Sequence, residues 1–565
     1  MISFVLGIII LSVSFAVFLL LGYLNIPGLV LVWVMIAGSA ILMIKSVMLP
    51  FGGLGRKIST FEKNGKIVSL MPVVVMVAIF VVFYLLTGVL NMQGTDEINI
   101  DYYAGYLVSH GINPYVAANM GNVFNFMHFP ADLSTPLLNG GYVTYFSYPA
   151  LIALVFAPAA FFKVNDVVVP LLFTLSTFLV LYFSYYRPRT PNFVYLLVLI
   201  SLLAYYSYLA VGGVVDSVWV FFIVIAFLSR KKPVYSGIFF GLSLAAKQIP
   251  IVIFPFFLYM IFRENSRRAK SAIYFTISMT FLFLIINLPF IIVSPGNWLS
   301  AMLSILSSQL VGVGFGPSAL AFTGFLQISH AFFTFSLISV AIFLFLIYLL
   351  YYQRLKFAFF IFPVIIFLFN YRVETDYLNF WPILLLPVLW ELHTFRKPET
   401  IWTPDPIGKV KASSLKVSAK KKKIVVIGIS VFLVASIAAA GFYYSGVAVK
   451  ANRIEIDGVS GIVHSSNDPG KIVSITLKMY FEPGSNVPPP GRPFFTIYVP
   501  FHANSLVTGN MNPLLWTATS DISTGYSIIT IAPEYNSSVL NINTPFRLVA
   551  YYAGYTGVLL SSGIH

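Results

Sequence analysis

Residues 67–101, IVSLMPVVVMVAIFVVFYLLTGVLNMQGTDEINID, place an uncharged run, Ile67 to Leu90, directly before three carboxylates, Asp96, Glu97 and Asp101. As a helix rising about 1.5 Å per residue, the run is long enough to cross the roughly 30 Å hydrocarbon layer of a bilayer. The acids then emerge at its far surface. Similar apolar runs recur through the first 445 residues. Of the 565 residues 58% are hydrophobic and only 9% charged, where an ordinary soluble domain carries about a quarter charged. This excludes a soluble protein and makes helices the framework, because a backbone in lipid must satisfy its own hydrogen bonds. The net charge of +15 does not point to nucleic acid, since Lys and Arg gather in short loops between apolar runs. The absence of cysteine rules out disulfides, thiolate metal sites and Cys nucleophiles.

Charge sets the expected topology. Spans near 1–22 and 28–49 lead to a loop holding Arg56, Lys57, Lys63 and Lys66, which belongs in the cytoplasm, as does the N-terminus. Met1–Tyr23 has no basic n-region and no small-residue cleavage site, so it reads as a retained span. The span from about 67 to 90 delivers Asn91–Ser147, which contains acidic residues and His but no Lys or Arg, to the outer face. Later basic clusters are Arg187/Arg189, Arg230/Lys231/Lys232, Arg263/Arg267/Arg268/Lys270, Arg354/Lys356, Arg396/Lys397 and the tract Lys409–Lys423. All are cytoplasmic under two conditions. One segment between Tyr148 and Tyr186 must be partial, and Pro149 and Pro158 mark the first of the two. Residues 234–262 must also enter and return to the same face. The arm Val234–Ala246 gives only about 20 Å of helix, which puts Lys247 near the tip of a re-entrant hairpin. Further spans are expected near 193–210, 214–229, 271–293, 330–351, 357–370, 378–392 and 424–444, the last exiting outward.

After Ser445 long apolar runs give way to short alternating segments. In Ile472–Glu482, Val473, Ile475, Leu477, Met479 and Phe481 fall on one face and Ser474, Thr476 and Lys478 on the other, the pattern of a half-buried strand. Phe494–Val499, Tyr526–Ala532 and Phe546–Tyr552 read as further strands of a small antiparallel sandwich. The N-x-S/T acceptor Asn536-Ser537-Ser538 agrees with an outside location. The tail carries no cluster of catalytic residue types and reads as a docking or carbohydrate-contacting module.

The chemistry is concentrated in Thr95–Tyr103 and its continuation to Tyr115. If the segment after Asp96 is helical, Glu97 and Asp101 share a face at i, i+4 and repel one another. Like charges so placed raise a pKa or attract a cation. Sugar transfer to a hydroxyl needs a general base, and a carboxylate at the membrane surface supplies one. The plainer alternative is a solvated acidic loop.

The run Asp96-Glu97 with Ala104, then Gly111-x-Asn113-Pro114-Tyr115, resembles the first-loop signature of the GT-C superfamily, whose members use polyprenyl-phosphate sugars. Protein O-mannosyltransferases carry Asp-Glu at this place, and the family 87 mannosyltransferases an Asp followed by Tyr, a small residue and Gly-x-x-x-Tyr. In order follow Tyr148-Pro149-Ala150, similar to a Tyr-Pro-Pro; Gly213 to Asp216, similar to Gly-Gln-x-Asp; and Ala246-Lys247-Gln248 with Pro250 and Pro255, similar to a Lys-Gln hairpin. Asn287-Leu288-Pro289-Phe290 with Trp298 resembles a later loop. The resemblance covers roughly residues 67–392. It departs from the pattern at Ala150 and at Gly212-Gly213, and the absence of Trp-Trp-Asp-Tyr-Gly argues against an oligosaccharyltransferase.

The resemblance implies that a first-loop Asp is the base: Asp96 first, Asp101 second because the family 87 pattern aligns onto it, with Glu97 beside them. Lys247, a cation at membrane depth that costs about 2.5–3.5 kcal/mol on insertion scales, is expected to hold the donor's lipid phosphate with Gln248. The alternative is a Lys snorkelling to the interface. Arg372, in the outer loop Asn370–Tyr377, either binds phosphate through its fork of donors or pairs with Glu374 or Asp376. Tyr148, Asp216, His128 and Glu374 are weaker candidates; Asp216 is expected to cap the next helix, and a lone His is more often structural. A divalent cation at Asp96 and Glu97 would have an incomplete ligand set.

The expectation is therefore an all-α polytopic membrane protein, GT-C-like, with about 11 to 13 membrane segments and a C-terminal extracytoplasmic all-β domain. Its parts are an N-terminal two-span hairpin and loop (1–66), a catalytic module (67–397) with the outer loop 91–147, a basic linker (398–423), a final transmembrane helix (424–444) and the β domain (445–565). It would move a sugar, mannose first among the candidates, from a polyprenyl-phosphate donor to a hydroxyl on a glycolipid, glycan or protein. The rivals are a transporter or lipid flippase, which would show paired broken helices in related halves, and a noncatalytic scaffold displaying the β domain.

Overall fold

The computed structural model describes residues 2–23, 25–48, 67–90, 94–130, 133–137, 141–185, 193–307, 310–326, 328, 330–394, 419–451, 453–482, 494–499, 513–520, 522–534, 539–541, 546–552 and 555–562. The basic residues Arg56, Lys57, Lys63, Lys66, Arg187, Arg189, Arg396 and Lys397, most of the 398–423 linker and the acceptor triplet Asn536–Ser538 lie outside them.

Six described helices are long and apolar enough to cross a membrane: Ile2–Leu21, Ile26–Met48, Leu70–Thr87, Phe193–Val211, Arg268–Val293 and His330–Leu350. Around them stand shorter apolar helices of 10–17 residues, so the chain is a multi-pass helical protein. Several expected spans are short or broken. The stretch 214–229 holds a helix of 12 residues, Ser217–Leu228, about 18 Å long. The regions 357–370 and 378–392 each begin with a 3-10 turn, Ala358–Phe360 and Trp381–Leu385, before a short α-helix. Pro363 and Pro382 stand in the first turns there, where proline's missing N–H is tolerated. Asn287-Leu288-Pro289-Phe290, expected in a loop, is helical and lies within Arg268–Val293.

The helix Pro233–Ala246 and the helix Phe254–Glu264, joined by the turn Ile249–Ile253, run out and back. Their free ends meet: Arg230 Nε lies 3.1 Å from Glu264, and Asn265 Nδ2 donates to the Arg230 carbonyl at 3.3 Å. The outgoing arm packs closely because Gly237 and Gly241 face the backbone carbonyls of Phe275 and Met279, where a Cβ would approach to 2.3 and 2.5 Å. Arg230 also forms a two-pronged bond to Glu391 at 2.8 and 2.9 Å, and Lys356 reaches Glu264 at 2.6 Å. Three of the basic clusters thus meet at one end of the helical body, with Lys247 at the hairpin apex away from them.

The helix Ala419–Ala451 runs past Ser445 to the sheet. Eight strands follow: β1 Arg453–His464, β2 Lys471–Glu482, β3 Phe494–Tyr498, β4 Leu514–Ala518, β5 Gly525–Pro533, β6 Leu540–Asn541, β7 Phe546–Tyr552 and β8 Tyr555–Ser562. All pair antiparallel in one sheet of order β1-β2-β5-β4-β3-β7-β8, with β6 on β2. The outermost strands β1 and β8 touch, so the sheet curls into a near-barrel instead of the expected sandwich. Alternation in β2 holds from Ile475 onward, but Ile472, not Val473, enters the core, because the pairing with β1 slips one residue between Ser474 and Ile472.

Candidate functional site

The first-loop acids begin a helix, Asp96–Ser109. Thr95 is its cap: extended in backbone, its Oγ1 accepts from the Ile98 N–H at 3.5 Å and donates to the Gly213 carbonyl at 2.8 Å. Gly213 has φ +90°, and a Cβ there would stand 2.5 Å from the Thr95 nitrogen. Glycine is thus required on two counts, conformation and contact. This contact docks the acidic helix beside Asp216, three residues further along.

Glu97 accepts from Lys247 Nζ at 2.7 Å, and Lys247 Nζ lies 3.1 Å from Asp216. Asp216 also accepts from the Trp219 indole; it stands at the cap position of Ser217–Leu228 but makes no side-chain cap bond. Its role differs from the one expected because its carboxylate turns inward to the ammonium. Lys247 lies over the Tyr148 ring, 5.3 Å from the centroid. Its ammonium is shared between the buried carboxylate of Asp216 and the partly buried one of Glu97, as a buried charge requires, and it does not snorkel.

Asp96, next in sequence, faces differently. Its carboxylate accepts from the Thr135 N–H at 2.8 Å and the Ser134 hydroxyl at 3.3 Å. Gln248 donates to the Ser147 carbonyl at 2.7 Å while its buried Oε1 has no partner among the described residues. Arg372 is ion-paired with Glu374 and donates from Nη1 to the Val311 carbonyl at 2.8 Å. Asp96, Glu97, Tyr148, Lys247, Arg372 and Asp376 all border one cavity of about 270 Å³, close to the lower end of the size range of small-ligand sites, about 300 Å³. Gln248 and Glu374 border it as well.

Three candidates do not line this cavity: Asp216, which reaches it only through Lys247, Asp101 and His128. Asp101 is fully buried on the acidic helix and neither carboxylate oxygen has a partner among the described residues. Burial first, then the Glu97 charge, holds its carboxyl well above the usual range. His128 is exposed at the end of a short helix, in a left-handed conformation (φ 51°). Glu97 is also raised, to about 7: burial outweighs the lowering effect of Lys247, and Asp216 adds to the rise.

Oxygens of Glu97, Asp216 and Asp376 lie within 4.8 Å of one another, close enough to share a cation. The Lys247 ammonium already supplies positive charge to the first two. Asp96 is not in this group.

The motifs are stitched together. The Tyr115 hydroxyl donates to the Tyr148 carbonyl at 2.8 Å, Asn287 Oδ1 accepts from the Ala150 N–H at 3.0 Å and the Trp298 indole at 3.1 Å, and Tyr115 packs edge-on against Phe290. Sequence reasoning named Asp376 only as a pairing partner for Arg372, not as a carboxylate beside Glu97 and Asp216, and missed His330 and the strand-like segment 310–316. The last has a signal: Gly312, Gly314 and Gly316 alternate, as they do where backbones approach closely.

Membrane-length helices and a cavity edged by carboxylates and buried cations define a multi-pass membrane protein with the makings of an acid–base site. Residues 146–319 match the model of glycosyltransferase family 87, in agreement with the GT-C resemblance, and together with the spanning helices this supports a membrane glycosyltransferase. No curated protein and no solved structure matches the chain. The matched segment supplies Tyr148, Asp216, Lys247 and Gln248; Asp96, Glu97 and Arg372 come from outside it.

Proposed function

We propose that the protein transfers a sugar, mannose first, from a polyprenyl-phosphate donor to a hydroxyl acceptor on a glycolipid, glycan or protein at the extracytoplasmic face. The observation that carries this reading is the placement of Asp96 on the same cavity as Lys247 and Arg372. Asp96 is the base. Its carboxylate is oriented by the Thr135 N–H and the Ser134 hydroxyl, and it takes the acceptor's proton. The acceptor oxygen bonds to the anomeric carbon from the side opposite the leaving group. The bond from that carbon to the phosphate oxygen breaks, and the phosphate departs with the electron pair. Lys247, Gln248 and Arg372 bind the phosphate, the first two from the hairpin apex. The transfer inverts the anomeric centre and needs no nucleotide.

The test is transfer from radiolabelled polyprenyl-phosphate mannose to membrane acceptors by wild type and Asp96→Asn. Loss of a general base costs on the order of 10²–10⁴ in rate, so the variant falls to that level at unchanged protein amount. Equal activity in both refutes Asp96 as base. Activity in neither, across a panel of lipid-phosphate sugars, refutes the transferase reading and leaves the transporter and the noncatalytic scaffold.

A further inference from the structure

The C-terminal sheet does not hang free of the site. Residues 310–316 form a strap between them. On the site side, Leu310 borders the cavity, the Val311 carbonyl accepts from Arg372, and the Val313 carbonyl accepts from the Val373 N–H at 3.2 Å, with Gly314 bridged to Val373 in parallel. Gly314 has φ +99°, and a Cβ there would stand 1.9 Å from the Val373 carbonyl oxygen. On the other side, the Tyr498 hydroxyl of β3 donates to the Gly312 carbonyl at 3.2 Å. Its fully buried ring meets Tyr23 edge-on at 5.3 Å and stacks on Phe322 at 5.6 Å. Val311 is buried against Phe494 of β3 and Leu515 of β4. Arg547, the register partner of Tyr498 on β7, lies over the Phe325 ring at 3.3 Å.

Each strap carbonyl from 311 to 313 is taken: 311 by Arg372, 312 by Tyr498, 313 by the Val373 N–H. The Val311–Gly312 peptide that fixes Arg372 is thus joined at Gly312 to the peptide whose carbonyl the sheet holds, and Val311 itself packs against the sheet residues Phe494 and Leu515. We infer that the β domain is a clamp on the active site, with Tyr498 a positioning residue that acts on Arg372 through the Gly312 carbonyl and the adjoining Val311–Gly312 peptide. Without it the strap keeps its bonds to Val373 and the bonds from the Val311 N–H to the Pro136 carbonyl at 3.0 Å and from the Gly314 N–H to the Tyr23 hydroxyl at 2.8 Å, but Gly312 is released on the far side of the Val311 carbonyl. The arginine then leaves the position in which it meets an anionic donor.

This inference rests on the transferase reading only for its kinetic consequence, so its test has two arms. The chain has no cysteine, and Leu310→Cys places a single thiol on the strap at the cavity edge. In full-length protein, Tyr498→Ala raises the labelling rate of that thiol by a maleimide about tenfold, and Tyr498→Phe, which keeps the ring packing and removes only the hydroxyl, raises it by less. An unchanged rate in both variants overturns the clamp, whatever the enzyme's substrate. In the transfer assay, Tyr498→Ala costs on the order of ten- to a hundredfold, as a misplaced binding group does, mainly in donor KM. In an Arg372→Ala background the same change costs little, because residues acting as one unit are non-additive. Losses that multiply in the double variant assign Tyr498 a general structural role and overturn its action through Arg372. If no donor is turned over by the wild type, the transferase reading fails while the labelling arm still decides the clamp.

Discussion

Asp96 and Glu97 are adjacent carboxylates with different surroundings, and the difference assigns them different work. Among the described residues Asp96 accepts its hydrogen bonds from neutral donors, whereas Glu97 is tied to Lys247. Burial raises Glu97 to about 7 from the ordinary 4.5, so it is largely neutral at pH 6 and anionic at pH 8. Protonating Glu97 removes one negative charge from beside Lys247. An anionic donor therefore binds better on the acid side: donor KM for the wild type is expected to fall severalfold from pH 8 to pH 6. Glu97→Gln holds the low value at both. A variant with the wild-type pH dependence would remove Glu97 from donor binding. Linkage gives a second readout with its own sign. A carboxylate raised in the folded state contributes stability that is present below about 4.5 and lost as pH rises through about 7. The wild type should accordingly lose thermal stability relative to Glu97→Gln over that interval. Sequence alone brought Lys247 and the first-loop acids forward, because a cation amid apolar residues and three carboxylates after a span are visible locally. Their pairing was not legible, since Glu97 and Lys247 are 150 residues apart and no local pattern encodes the partner.

At the scale of elements, the site is assembled where helices stop. The acidic helix starts at Thr95, Ser217–Leu228 starts beside Asp216, and Pro233–Ala246 ends at Lys247. Breaks were partly legible: the 13-residue arm before Lys247 was too short to cross, and the helix there ends at Ala246. The short spans expected at 357–370 and 378–392 are apolar helices that each contain a 3-10 turn, which hydropathy does not show because it measures apolar content alone. β2 followed from alternation and β3, β5 and β7 from their short apolar runs, whereas β1, β4, β6 and β8 were missed: β4 is short and buried nearly throughout, β6 is two residues long, and β1 and β8 offer no clean two-face pattern. Gly213 is the joint between two of the breaks, and its place in a glycine pair gave no hint of a positive φ. Gly213→Ala must move the Thr95 backbone, since its Cβ would stand 2.5 Å from the amide nitrogen, and must also hold φ +90°. Strain of this kind costs about 1–3 kcal/mol. The expected outcome is transfer reduced at least tenfold with a lowered unfolding temperature, and Gly212→Ala serves as the comparison. Wild-type activity in Gly213→Ala would show that the Thr95–Gly213 contact does not set the position of Asp96 and Glu97.

For the whole molecule, the two ends of the helical body differ in chemistry. One gathers Arg230, Lys356, Glu264 and Glu391; the other carries the cavity and, through the strap, the curled sheet. The contacts tie cavity and sheet to each other, so the side of one fixes the side of the other. Basic loops prefer the cytoplasm because anionic lipid and the insertion machinery retain Lys and Arg there. That predicts the Arg230 end inside and the sheet outside. The cysteine-free chain allows a direct measurement with two single thiols at exposed positions: Lys231→Cys between the helices at the basic end, and Asn467→Cys in the turn between β1 and β2. In intact cells a membrane-impermeant maleimide should label Asn467→Cys at once and Lys231→Cys only after permeabilisation. The opposite pattern would turn the whole molecule over, sheet and cavity together, and would put the site on the face where nucleotide sugars are made. The case for a lipid-phosphate donor would then fall with it. Labelling of both thiols before permeabilisation would instead break the charge argument, because one helical body would then show its basic end and its cavity end to the same side.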